Sequence, residues 1–386
     1  MNGTIDKRTG PQGTAYRVRV ELSPDPITGK RRYRAETHRT KKDAEKRLRE
    51  WVTEIERGTA VDSTKMTIGE LVTQWLAVQR PRIKPRTCEH YEFTLKRHVA
   101  AHIGTTLVQK VRPITIDALY ALLRDEGLSD HAVYRAHQRL RQIFDYAVKR
   151  YIVAVNPMQH VETPTMHSAP PTVLTAPQIQ RFLSFARHDA HNPVWLLLLQ
   201  TGLRRGEALG VRWRDLDLER GKLTVRQCVE SLRGLPHIQT PKTAAAMRTI
   251  SLFPESVKAL HDLRKRHLQA RLAATDWEEN DLVFCTSNGR PLAPTNVLRS
   301  LRAIQEKANA AAKADEAELL PRFDIHDLRH SHASHLLREG WDIVRVSRRL
   351  GHANPGITMT IYAHAITDVR DDDLITPAAF AYTGTD

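Results

Sequence analysis

Between residues 160 and 171 the chain reads HVETPTMHSAPP, a run of Pro, Thr and Ser with neither the 3.6-residue period of an amphipathic helix nor the alternation of a strand. A stretch of this kind reads as a linker and cannot carry one core across itself. The 386 residues must therefore fold as separate bodies on its two sides. Length agrees, because at roughly 150 residues per domain a chain of this size calls for two or three.

Ahead of the linker the hydrophobic period changes once. Residues 1–60 alternate like short strands, AYRVRVEL and RRYRAETH, separated by the turn-rich SPDPITGK. A helix follows in TKKDAEKRLREWVTEIERG, with Thr40 as its N-cap and Gly58 as its stop. This segment holds 15 basic and 9 acidic residues. A small basic sheet backed by a helix is suited to laying strands in a DNA groove, although the same charge also suits a solvated face.

Residues 66–161 then keep to helical periods in IGELVTQWLAVQ, RTCEHYEFTLKRHVAAHIG, TIDALYALLRDEG and the stretch from His131 to Arg150. Thr67 and Glu70 fit a capping box, and Gly104 and Gly127 fit helix ends. Beyond the linker, residues 173–386 form a third region. Thr175 and Gln178 make a second capping box there, PVWLLLLQTG is a helix buried on most sides, and LTV, AMRTISL and LVFC read as short strands. The expected architecture is multidomain and mainly α with small β-sheets: a sheet-plus-helix module, a helical domain and a mixed α+β domain.

The net charge of +15, with a pI of about 9.9, asks for a polyanionic partner, and nucleic acid is the leading one. No apolar run approaches the roughly 20 residues that span a bilayer, and no lipidation signal is present. MNGTIDKRTG lacks the apolar core of a secretory signal. Cys88, Cys228 and Cys285 lie far apart with no CxxC pair, so neither disulfides nor a cysteine zinc site is expected. The expectation is a soluble, cytoplasmic protein without membrane contact.

Four segments of the third region carry chemistry. In TGLRRGEALGVRW the buried helix ends at Gly202 and another begins, so Arg204 sits at a rigid junction with Glu207 three residues on to hold its guanidinium. TPKTAAAMRTISL reads as a hairpin with Lys242 near its tip. FDIHDLRHSHASHLLREG places His326 and Arg329 three apart on one helical face. LGHANPGITMTIYAH breaks at Gly351, Asn354, Pro355 and Gly356 before a helical turn that bears Tyr362. Taken singly each has a plain structural explanation: a salt bridge, a solvated lysine, a core tyrosine with its hydroxyl paired.

Together, TGLR with Glu207, Lys242, HDLRH, LGH and the Ile361–Tyr362 pair resemble the active-site boxes of the tyrosine recombinase family, in particular phage-type integrases. The resemblance runs from Val173 to about His364. Residues 66–161 are similar to that family's core-site DNA-binding domain, and residues 1–60 to its arm-type DNA-binding domain. It implies that Arg204 and Arg329 clamp the nonbridging oxygens of a scissile phosphate and that His326 donates or relays a proton beside them. Lys242 would protonate the leaving 5′ oxygen, His352 would hydrogen-bond the phosphate, Tyr362 would attack phosphorus, and Glu207 would support. It further implies a 3′-phosphotyrosyl intermediate, a Holliday junction, a homotetramer on double-stranded attachment sites, and a directionality factor or host DNA-bending protein as accessory partners.

Elementary chemistry fits those roles. In-line displacement at a phosphodiester gathers negative charge on equatorial oxygens, which fixed cations in a dry site stabilise as a metal would. The phosphodiester energy is kept in the phosphotyrosine link, so neither ATP nor another cofactor is expected, and no GxxxxGK[ST] loop surrounds Gly29–Lys30 or Gly221–Lys222. HDLRH imitates the HExxH zinc motif in His326 and His330. Yet Asp327 is shorter than the Glu that motif uses, and Leu336 stands where a metzincin needs histidine. His332 and His335 are expected in helix packing and at the surface. Two alternatives remain: a noncatalytic DNA-binding protein on the same fold, and a type IB topoisomerase-like relaxing enzyme.

Overall fold

The computed structural model describes residues 3–10, 13–22, 31–56, 65–166, 170–240 and 246–366. They fall into two compact units divided between residues 168 and 169, inside the linker. None of the described helices is long and apolar enough to cross a membrane.

The first unit opens with an antiparallel sheet, β1 (Gly3–Gly10), β2 (Gly13–Leu22) and β3 (Arg32–His38), in the order β1-β2-β3. Alternation on β2 sends Val18 and Val20 to one face, where α1 (Lys41–Glu56) covers them with Ala44, Leu48, Trp51 and Ile55 at helical spacing. Thr40 caps α1 by accepting from the Asp43 amide, while the expected stop at Gly58 lies outside the described residues.

A second apolar core in this unit belongs to the helices α2 (Ile68–Gln79), α3 (Pro85–Leu95), α4 (Ala101–Ile103), α5 (Pro113–Asp125) and α6 (Asp130–Lys149). Between α3 and α4 the residues Lys96–Ala100 form a π-helical segment, so the expected single helix there is continuous but locally widened. Thr67 and Glu70 form the capping box read from sequence.

The second unit begins with α7 (Ala176–Ala186), α8 (Asn192–Thr201) and α9 (Arg205–Leu209). A three-stranded sheet follows in the order β4-β5-β8, made of β4 (Leu216–Asp217), β5 (Lys222–Val225) and β8 (Arg248–Ser251). A separate hairpin pairs β6 (Cys228–Leu232) with β7 (Leu235–Gln239). The chain closes on α10 (Pro254–Ala273), α11 (Pro294–Ala314), α12 (Ile325–Arg338), α13 (Ile343–Leu350) and α14 (Pro355–Ile366). α8, apolar on most sides as its sequence demands, runs through the main core beside Phe182, Leu301, Phe323 and Leu328.

Two expectations about strands need correcting. LVFC is not a strand: Leu282 and Cys285 make only isolated bridges to Arg212 and Pro291. The run is apolar because Leu282, Val283 and Phe284 are buried, and burial of a loop mimics the pattern of a strand. Nor do the flanks of Lys242 pair with each other, because Gln239 ends β7 against β6 while Arg248 starts β8 against β5. The hairpin that does form turns on Arg233 and Gly234, both at positive φ, which matches the right-handed twist of its strands.

Trp195 is fully buried on α8, edge-on to Phe182, which is edge-on to Phe323, and its indole N–H donates to Asp189. Trp195→Ala should lower the unfolding free energy of the second unit by about 3–5 kcal/mol, read as a shifted denaturation midpoint. An unchanged midpoint would contradict this assignment of the core.

Candidate active site

The site forms where two helices stop. α8 ends at Gly202 and α13 at Gly351, both left-handed (φ 66° and 70°), a conformation glycine adopts without strain. At Gly202 space is also limiting, since an added Cβ would lie 2.6 Å from His332 and 2.7 Å from Leu350. Each helix end leaves backbone carbonyls without intrahelical donors and carries partial negative charge. Arginines meet that demand.

Arg329 projects from α12 and is almost wholly buried. Its Nη1 donates to Gly202 O at 2.7 Å and its Nη2 to Leu350 O at 2.9 Å, so one guanidinium ties both helix ends together. Arg349 donates to Gln200 O at 2.9 Å and Ser251 O at 3.2 Å, and its Nε donates to His332 Nε2. His332 Nδ1 then donates to Leu199 O, which fixes the neutral tautomer. Burial, with Arg349 beside it, pushes His332 down to about 3.

Arg204 is the N-cap of α9, at the rigid junction expected. Glu207 reaches back to accept from its amide at 3.0 Å and from its Nη1 at 2.8 Å. Arg204 remains 40% exposed against 5% for Glu207, so it is the cation that an incoming anion can reach. Glu207 also takes Arg248, whose Nη2 lies 2.9 Å from Oε2 and whose Nε donates to Arg349 O at 2.6 Å. Burial alone would raise the Glu207 carboxyl, but Arg248 and then Arg204 outweigh it and hold the group below the usual range.

Three site residues sit close to these cations. His326, in the first turn of α12, is pushed down to about 4 by burial and then by His330, Arg329 and Arg204. His352, just past Gly351, is driven to about 4 by burial and by the same arginines, and its Nδ1 lies 2.7 Å from Thr358 Oγ1. Both rings are therefore neutral at pH 7. Tyr362, on α14, is buried in a small apolar cluster with Leu337, Val346 and Leu350, while its hydroxyl lies 2.9 Å from His330 Nδ1. Burial pushes the phenol up to about 12 against the opposing pull of Arg329 and Arg204.

The structure thus brings together Arg204, Glu207, His326, Arg329, His352 and Tyr362. Lys242 lies outside the described residues. Sequence reading missed Arg248 and Arg349 as parts of the frame, and treated His330 only as half of a zinc mimic. Asp327 serves as the N3 residue of the α12 capping box, accepting from the Asp324 amide. His335 donates from Nε2 to Leu174 O at 2.8 Å, so it is a packing residue as expected.

A cluster of guanidinium groups with two neutral histidines and a buried phenol suits an anionic ligand. In keeping with that, the sequence profile of the Phage integrase family matches residues 172–368, and that of the phage integrase central domain matches residues 68–163. Over 378 residues the chain is 27% identical to a tyrosine recombinase XerC-like protein of Caldanaerobacter subterraneus subsp. tengcongensis, covering 91% of this chain and 92% of the relative. It is 26% identical over 354 residues to the ICEBs1 integrase of Bacillus subtilis, covering 90% and 93%. In fold it is similar to the Tn1549 transposon integrase in complex with a circular intermediate DNA, at a TM-score of 0.68 and 22% identity over 78% of this chain and 95% of that one.

Removing the charge of Glu207 tests the frame. Glu207→Gln leaves Arg204 and Arg248 without their shared counter-ion and should cost about 3 kcal/mol or more at pH 7. Because the folded-state pKa of Glu207 is depressed, its contribution is present above the unfolded pKa and lost as pH falls through the folded one. Denaturant unfolding should show the gap between the two proteins closing on acidification; a gap independent of pH would place the stabilisation elsewhere.

Proposed function

The chain belongs to the phage integrase family, and from that membership we propose a residue-by-residue course for its reaction as a tyrosine-type site-specific DNA recombinase. Arg204 and Arg329 hold the two nonbridging oxygens of the scissile phosphate, His352 adds a hydrogen bond, and Tyr362 attacks phosphorus in line. The observation that carries this reading is the meeting of the Tyr362 phenol with the field of Arg329 and Arg204, inside a frame that fixes both cations before any substrate arrives. A guanidinium suits the task because it stays charged even where burial and Arg204 press Arg329 down to about 9.

His326 starts neutral through burial and, after it, repulsion from His330, Arg329 and Arg204; the negative phosphate offsets that repulsion, which lets it take up and relay a proton. Glu207 positions Arg204. Lys242 serves as the acid for the leaving 5′ oxygen. The intermediate is a 3′-phosphotyrosyl link, and attack by a partner strand's 5′ hydroxyl releases it; two such rounds pass through a Holliday junction and integrate or excise a mobile element.

Residues 1–60 bind arm-type sites and residues 66–161 bind the core site, with residues 173–386 catalytic. The working assembly is a homotetramer on two attachment sites, with a directionality factor or host DNA-bending protein setting direction, in the cytoplasm of a bacterial host. Support for the first module comes from its outward sheet face, where Arg17 and Arg19 stand opposite the face packed on α1 and the Arg19 guanidinium lies 3.7 Å from the Tyr33 ring centroid.

The role of Lys242 has a selective test. A general acid contributes on the order of 10²- to 10⁴-fold, so Lys242→Ala should slow cleavage of ordinary core-site DNA by about that factor. Replacing the bridging 5′ oxygen by sulfur supplies a leaving group that needs little protonation. Lys242→Ala should then approach wild type, whereas Arg204→Ala should stay slow on either substrate. Rescue of both variants, or of neither, would make Lys242 a phosphate contact instead.

A further inference from the structure

We propose that His330 is the proton acceptor for Tyr362, a catalytic residue distinct from His326, through the 2.9 Å contact between its Nδ1 and the phenol oxygen. This deepens the reading given above and rests on Tyr362 being the nucleophile.

The argument begins with what the phenol needs. Held near 12 by burial, Tyr362 is ionised in only about one molecule in 10⁵ at pH 7, so its proton must pass to a base as the bond to phosphorus forms. His330 sits one residue after Arg329 on α12, with 9% of its surface exposed, and its Nδ1 is the hydrogen-bond partner of the Tyr362 oxygen. His326 lies one helical turn earlier with its ring edge-on to His330 at 4.8 Å between centroids, not against the phenol oxygen. Carrying its own proton on Nε2, His330 presents a lone pair at Nδ1 to the phenol hydrogen.

The steps balance. As Tyr362 Oη bonds to phosphorus and the bond to the 5′ oxygen breaks, the phenol proton moves to His330 Nδ1, and the 5′ oxygen takes its proton from the separate donor assigned to Lys242. In rejoining, the incoming 5′ hydroxyl bonds phosphorus and gives its proton back to the lysine amine. The bond to Tyr362 breaks, and the His330 imidazolium returns its proton to the phenolate. The charged and titratable groups that act on this pair are His326 on the same helix, edge-on to His330, and Arg329 and Arg204, whose charges act on the phenol.

The test is single-turnover cleavage of core-site DNA with sulfur at the bridging 5′ position, so that leaving-group protonation drops out and the rate reports on the nucleophile. His330→Asn keeps a hydrogen-bonding group but cannot carry the proton. It should be slower by about 10²- to 10⁴-fold at neutral pH, recover steadily as pH rises, and recover also when 3-fluorotyrosine, a more acidic phenol, replaces Tyr362. A loss equal at every pH and indifferent to fluorination would reduce the contact to positioning and overturn the proposal, as would a wild-type rate. Core-site affinity and thermal unfolding check that the variant is folded, with His330→Gln as the second choice. Should neither fold, the fluorotyrosine comparison in protein with His330 intact decides: the acid limb of the rate should stay at the same pH, and a limb that moves with phenol acidity refutes the proposal. Tyr362→Phe separates this from the underlying reading, because an adduct formed by that variant would remove Tyr362 as nucleophile whatever His330 does.

Discussion

Two helix C-termini held together by arginine side chains are the constraint on which the second unit's chemistry depends. α8 and α13 each stop at a left-handed glycine, and Arg329 donates to a carbonyl at both stops. Arg349 and Arg248 add donors to neighbouring carbonyls, and Arg204 lies 3.4 Å from Gly351 O. Helix ends attract cations through their partial negative charge, so this geometry lets guanidinium groups gather with few carboxylates among them. Only Glu207 forms ion pairs with Arg204 and Arg248 among the described contacts.

The balance of charge has consequences that run through the site. Carbonyl dipoles satisfy the hydrogen bonds of Arg329 but do not neutralise it, so a buried positive field remains for an anion to complete. Burial first, and that field after it, keep His326 and His352 neutral, and the field opposes the burial that raises Tyr362. Binding of the phosphate would then strengthen several weak contributions together: the arginine clamp, the readiness of His326 to carry a proton, and the acidity of the phenol.

Much of this could be read from the chain before folding, for identifiable reasons. Long segments with a sustained period, such as residues 68–79 and 131–149, became helices because their apolar stripes had to be buried. Arg204 was legible because an apolar helix ending in Gly leaves the next polar residue at a fixed corner. Arg248 and Arg349 were not, since besides Glu207 and His332 they hold backbone carbonyls 101 and 149 residues away in sequence, and contacts of that kind leave no local pattern around either arginine. His330 was visible only as a histidine four residues from another, because its partner Tyr362 lies 32 residues on. The β6–β7 turn escaped notice because Arg233 takes a positive φ that Asn or Asp more commonly signals. The loop at residues 282–285, buried at Leu282, Val283 and Phe284, passed for a strand because short apolar runs look alike whether they are paired or merely covered.

The central claim is that the cations framed by the two glycine-ended helices serve one nucleophile, the phenol of Tyr362. Its most direct test is to trap the covalent complex on a core-site duplex nicked just past the cleavage point, digest both partners, and sequence the nucleotide-bearing peptide by mass spectrometry. The account predicts a single modified peptide carrying a 3′-phosphonucleotide on Tyr362. A nucleotide attached to any other residue, or joined through a 5′ phosphate, would contradict it.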